Sequence, residues 1–191
     1  KTRAEMLQLI GSAKPDFEPG ADVAYSNSNF ILLTFILEDI TKKSFSKLVK
    51  ERITSKIKLK DTYVGTAIKL KGNEAQSFQF NNNKWEAEPE TDMSIPVGAG
   101  AIVSTASDVN LFLSALFAGR LISTEHLRMM QTMKDGYGMG MFEFPFYNKK
   151  CYGHTGGIDA FQSMCVYFPE DSVSFSILSN GNAYPMNNVV L

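Results

Sequence analysis

Two short stretches carry side chains able to do chemistry together. Tyr25-Ser26-Asn27 places a phenol and a carboxamide two residues apart, just before the apolar run at 30–40. Tyr152-Gly153-His154-Thr155-Gly156-Gly157 places an imidazole, a hydroxyl and two adjacent glycines between two strand-like runs. Adjacent glycines at a strand end admit a ligand or another backbone closely. Exposed N–H groups on such an edge suit an oxyanion. Taken alone, the second stretch also reads as an ordinary glycine-rich hairpin, and a Tyr at a loop-to-helix junction is more often a packing residue. Both readings depend on whether the chain brings the two stretches together.

The elements that must do so are legible in outline. Residues 1–14 read as a helix with Met6, Leu7, Leu9 and Ile10 on a loose apolar face, and Pro15-Asp16 and Pro19-Gly20 then break the chain. The run at 30–40 reads as a strongly apolar helix. Ser44 suits an N-cap, and Phe45, Leu48, Val49 and Ile53 follow at amphipathic spacing, with Lys47, Lys50, Glu51 and Arg52 on the wet face. Residues 72–95 are polar and irregular, with a small hairpin about Asn81-Asn82-Asn83. Thr105-Ala106-Ser107-Asp108 opens another helix that stops at Gly119, and Ser123 caps a short one carrying a solvent-facing His126. From residue 136 on, strands are expected near 136–144, 150–155, 161–168 and 173–179. In the last, Val173, Phe175 and Ile177 alternate with Ser174 and Ser176. The expectation is one domain over 1–191, a helical lobe at about 26–135 followed by a sheet part at about 136–191.

Composition narrows the classes. A net charge of −1 gives no basic footprint for nucleic acid, and no apolar run is long enough to span a bilayer as a helix. Two histidines and two cysteines support no metal site. If Ile158 centres the last hairpin, Cys151 and Cys165 sit opposite each other, at a separation a disulfide tolerates; the favoured reading is two free thiols.

Three features together resemble a known superfamily. They are Pro19-Gly20 with Tyr25-Ser26-Asn27 and an apolar helix; the run from Gly100 to Asp108 opening a helix; and Gly153-His154-Thr155-Gly156-Gly157 with Phe161, then Tyr167-Phe168-Pro169-Glu170 and a strand ending Leu178-Ser179-Asn180. The chain resembles the serine β-lactamase and penicillin-binding-protein superfamily, in its class C β-lactamase, D-aminopeptidase and esterase-like branch. The resemblance implies an α+β fold of the β-lactamase/transpeptidase type, incomplete here, in which a helical lobe and an antiparallel sheet enclose the site. It implies an acyl-enzyme mechanism with no cofactor, acting on a small-molecule or peptide substrate, and it suggests an extracytoplasmic or periplasmic setting. Tyr25 is the expected general base; a free phenol ionises near about pH 10, so that role asks for positive charge close by. Asn27 is expected to hold the substrate amide or carbonyl. His154 takes the place of the commoner Lys, and its N–H or charge serves the hydrogen-bond network or a substrate carboxylate. Thr155 and Gly156 are expected at the substrate, and the Gly157 N–H in the oxyanion hole.

The superfamily's nucleophile motif, Ser-x-x-Lys, is expected upstream of Tyr-x-Asn, and no such string precedes Tyr25. Ser44-Phe45-Ser46-Lys47 and Ser55-Lys56-Ile57-Lys58 match in letters but lie downstream. The expectation is therefore a fragment, inactive alone, whose missing N-terminal segment is its first partner and whose bare sheet edges promote self-association. The competing reading is a non-catalytic binding or scaffold module of the same fold.

Overall fold

A computed structural model describes residues 1–184 and residue 186. Helix α1 (Arg3–Ser12) begins in a full capping box: the Thr2 hydroxyl accepts from the Glu5 N–H at 3.3 Å, and the Glu5 carboxylate accepts from the Thr2 N–H at 2.6 Å. Its apolar face is thinner than the sequence suggests. Met6 is buried, while Leu7 and Leu9 are exposed.

Helix α2 (Asn27–Thr41) follows the turn at Gly20. Ile31 and Phe35 pack on Met6 and on Ile95 and Val97 of a later loop. Its other side is also apolar. Leu33, Ile36, Leu37 and Ile40 stand at 50%, 51%, 46% and 75% exposure, a stripe at i, i+3, i+4 and i+7 that nothing among the described residues covers.

Ser44 caps α3 (Phe45–Val49) by accepting from the Lys47 N–H at 3.3 Å. The amphipathic segment then widens to a π-helix over Lys50–Thr54 before α4 (Ser55–Ile57). Strand β1 (Tyr63–Val64) comes next. The expected small hairpin is β2 (Phe78–Asn81) and β3 (Lys84–Ala87), joined by Asn82 and Asn83 with φ of 48° and 60°. Left-handed residues of this kind suit a two-residue hairpin turn. Strand β4 (Ile102–Val103) returns to pair with β1. Helix α5 (Ala106–Phe117) is capped by Thr105, and α6 (Thr124–Met130) by Ser123. His126 is exposed on α6, its ring beside the Ser123 hydroxyl.

The main sheet is β5 (Phe142–Phe146), β6 (Lys149–Ile158), β7 (Phe161–Phe168) and β8 (Val173–Ser179), antiparallel and in that order. The chain is thus α+β, as expected. Helix α5 covers one face of the sheet. Phe117 stacks on Tyr167 with centroids 4.1 Å apart, and the Ser176 hydroxyl donates to the Asn110 side chain at 2.8 Å. Cys151, Met164 and Val166 form a cluster on the opposite face with Phe144, Phe146 and Phe168.

The cysteine pairing considered above requires a turn centred on Ile158. Instead Ile158 pairs with Phe161 around Asp159-Ala160, so Cys165 lies opposite His154. Because side chains alternate across a strand, Cys165 points to the His154 face and Cys151 to the other. Both thiols are free. Burial pushes both up in pKa, which keeps them protonated.

Candidate functional site

The fold brings the two chemical stretches together. Tyr25 closes the loop before α2, and Asn27 is the helix's first residue, which leaves both side chains exposed at its N-terminus. The Tyr25 hydroxyl donates to the Asn27 carboxamide oxygen at 3.2 Å. Across from them stands His154, with ring centroids 6.0 Å from Tyr25.

The position of His154 follows from strand register. Strand β5 accompanies β6 only as far as the Phe142–Gly153 pair, whereas β7 pairs along β6 up to Ile158. From His154 onward β6 therefore has, among the described residues, a partner on one side only. The free side carries the main-chain groups of alternate residues along the run from His154 to Gly157, the rest being turned toward β7. Such an edge can pair with an extended ligand.

Phe142, the last residue of β5 to pair, is a site neighbour that sequence reasoning missed. Its ring stacks on His154 with centroids 4.4 Å apart and lies 6.1 Å from Tyr25. The only signal was the alternation of Phe142, Phe144 and Phe146, which marks a strand but does not say what its end meets. The His154 ring is also held by its Nδ1, which lies against the Thr155 carbonyl oxygen.

The glycines differ in what they permit. A Cβ on Gly153 would sit 1.9 Å from the Cys165 carbonyl oxygen, so only glycine lets β6 and β7 approach so closely there. At Gly156 the obstacle is the Ser163 hydroxyl at 2.3 Å, a side chain that can rotate away. Gly157 is exposed, and nothing but its hairpin neighbour comes within reach, at 4.0 Å. The hairpin turn behind them is clasped from the side. Asp159 accepts from the Thr91 hydroxyl at 2.5 Å and from its N–H at 3.1 Å.

The two downstream Ser-x-x-Lys strings lie elsewhere. Ser44 caps α3, and Ser55 lines a cavity beside β1. Among the described residues no group of three or more His, Cys, Asp or Glu could hold a metal ion.

The fold sets helices on an antiparallel sheet, with Tyr25 and Asn27 beside His154 at the strand edge. The family described as Beta-lactamase matches residues 1–190, and the chain belongs to that family. An unguisins hydrolase (ungD′) of Aspergillus campestris is 23% identical over 190 residues, covering 89% of this chain and 35% of that protein. The D-alanyl-D-alanine-carboxypeptidase/endopeptidase AmpH of Escherichia coli is 28% identical over 108 residues, covering 56% of this chain and 26% of that one. Among solved structures, a D-stereospecific amidohydrolase from Streptomyces superposes with a TM-score of 0.86 at 27% identity, covering 97% of this chain and 59% of that one. The chain thus spans about a third or less of the length of the curated relatives it matches.

Proposed function

We propose that this chain is the substrate-binding and proton-transfer part of a serine hydrolase that works through an acyl-enzyme. The observation that carries the reading is the meeting of Tyr25, Asn27 and His154 at the start of the free β6 edge. In this reading a serine from an upstream segment attacks a carbonyl carbon and gives its proton to Tyr25 in its phenolate form, which the lysine of the same upstream Ser-x-x-Lys motif would favour by its positive charge. The tetrahedral oxyanion is held by the Gly157 N–H. Losing one such donor typically costs about 3–4 kcal/mol of transition-state stabilisation. As the intermediate collapses, the bond to the leaving group breaks and Tyr25 returns the proton to it. Water then cleaves the acyl-enzyme by the same route in reverse. Asn27 orients the scissile carbonyl or amide, and Thr155 and Gly156 contact the substrate. His154 completes the hydrogen-bond network or meets a substrate carboxylate.

A D-configured acyl amide or a D-alanyl peptide is the substrate class best supported, because the matched relatives are named as a D-stereospecific amidohydrolase and a D-alanyl-D-alanine carboxypeptidase. The 1–191 span is then a partial domain. The uncovered stripe on α2 is the seat of the segment that carries the nucleophile, in keeping with the 59% share of the Streptomyces chain that this chain covers.

The test is intact mass after exposure to a fluorophosphonate and, separately, to a fluorescent penicillin. The chain alone should stay unmodified, and the chain with its upstream sequence restored should take one adduct. An adduct on the isolated chain would locate the nucleophile within it and overturn the fragment reading. No adduct in either form would favour the non-catalytic binding module.

A further inference from the structure

The stretch 42–60 holds seven lysines and Arg52 against Glu51 alone, in a chain whose net charge is −1. A run of this kind is ordinarily a solvated face, and part of it is: Glu51 is taken up by Lys43 at 2.5 Å and faces Lys47 at 3.9 Å. The remaining charge is arranged differently. Lys50, Lys58 and Lys60 border a cavity of about 390 Å³, with the Ser46 and Ser55 hydroxyls on its wall and Val49 and Leu59 at its base. No Asp or Glu lines it. Among the described residues, neither these three ammonium groups nor the two hydroxyls have a side-chain partner. Of the nearby acids, Glu74 is engaged by the Tyr63 hydroxyl and the Lys69 N–H, and Asp108 by the Asp61 N–H and the Thr62 hydroxyl, while the Asp61 carboxylate, between Lys60 and Thr62, lies off the cavity wall and leaves the lysines in excess.

The backbone that forms the wall is unusual at two points. Lys50–Thr54 is a π-helix, closed by the Ser55 N–H donating to the Lys50 carbonyl. Lys58 is left-handed, with φ of 61°. Single π turns are rare and gather at functional sites, and a left-handed lysine is uncommon. Together they set Lys50 and Ser55 on one wall and turn the chain so that Lys58 and Lys60 reach the same space.

We propose that this cavity is an anion site for a phosphate-bearing ligand of about diphosphate size. Three unpaired ammonium groups and two hydroxyl donors, with no carboxylate on the wall itself, match a compact group of high charge and many acceptor oxygens. The site is built from α3, α4 and the approach to β1, apart from Tyr25 and His154, so it stands whether or not the hydrolase reading does.

The experiment is titration with inorganic pyrophosphate at low ionic strength, read by backbone amide shifts. Saturable shifts are expected at Lys50, Ser55, Lys58 and Lys60, weakening as salt is added. The double variant Lys58→Gln/Lys60→Gln should bind at least tenfold more weakly, and Lys84→Gln, on the distant hairpin, should bind unchanged. Both lysines are exposed, and the variant's own amide spectrum verifies its fold. A second arm distinguishes the source of the phosphate: co-sedimentation with vesicles containing phosphatidylglycerol, against vesicles of phosphatidylcholine alone. Binding to anionic vesicles that the double variant loses, with or without pyrophosphate binding, assigns the site to a lipid headgroup. Pyrophosphate binding without vesicle binding assigns it to a free phosphate compound. No response to either probe, or a response that survives the double variant, overturns the proposal.

Discussion

Gly153 and Gly157 look alike in the sequence and are held by different constraints. Adding a methyl at Gly153 drives it into the Cys165 carbonyl, a main-chain atom that cannot rotate aside. Gly153→Ala should therefore lower unfolding stability by about 1–3 kcal/mol in urea titration. Gly157→Ala meets open space and should change stability by less than about 0.5 kcal/mol. A second residue-scale prediction concerns Tyr63. Its hydrogen bond to Glu74, with a smaller effect of burial, pushes its phenol up to about 12. A raised folded pKa stabilises fully below the unfolded value of about 10 and loses that contribution as pH climbs through about 12. Ultraviolet absorbance titration should show Tyr63 titrating late, with Tyr152 also raised by burial, and Glu74→Gln should lower the Tyr63 value alone.

Buried Asp108 ties two elements together. It sits in the first turn of α5 and accepts from the Asp61 N–H and the Thr62 hydroxyl, both at 2.8 Å, just before β1. Asp108→Ala strands both donors and should cost about 1.5–3 kcal/mol, measured by chemical denaturation. The sequence shows this residue only as part of a cap. Elements whose signal is local were the legible ones: α2 by its apolar run, β8 by alternation, α5 by Thr105, and β2–β3 by its asparagines. Elements defined by distant pairing were not. Strands β1 and β4 are two residues each and exist only through each other. The π-helix follows α3, whose Phe45, Leu48 and Val49 keep the amphipathic spacing, and nothing in that spacing marks the wider turn after them. The hairpin register was missed because Asp159 takes the left-handed position, with φ of 52°, and puts the turn one residue past Ile158. Within the candidate site, Tyr25, Asn27 and His154 were singled out by type and spacing, while Phe142 enters through strand length, which composition does not encode.

For the molecule as a whole, what is uncovered matters as much as what is packed. Nothing among the described residues covers the α2 stripe, so Ile36→Lys/Ile40→Lys should leave this chain's stability within about 0.5 kcal/mol. The same change should abolish binding of an upstream segment supplied separately, as read by co-purification. The outer edge of β8 also has no strand partner among the described residues, and Val173 and Phe175 on that strand are 51% and 38% exposed. Light scattering should find the chain larger than a monomer, and Val173→Lys should shift it toward one; a monodisperse monomer of the unmodified chain would refute edge-to-edge association. The other open edge is shorter and has two fixed ends. Strand β6 outruns β5 by the residues from His154 to Ile158, and the Asp159 turn closes it. At about 3.3 Å per residue this is a ruler of roughly 16 Å. In the proposed function it would seat a stretched chain of about five residues between an aromatic stop at Phe142 and a reversal of the backbone. If the proposed function holds, longer polymers would be gripped only at a free terminus or at a point where they bend away, so the unequal lengths of two neighbouring strands would become a preference for chain ends.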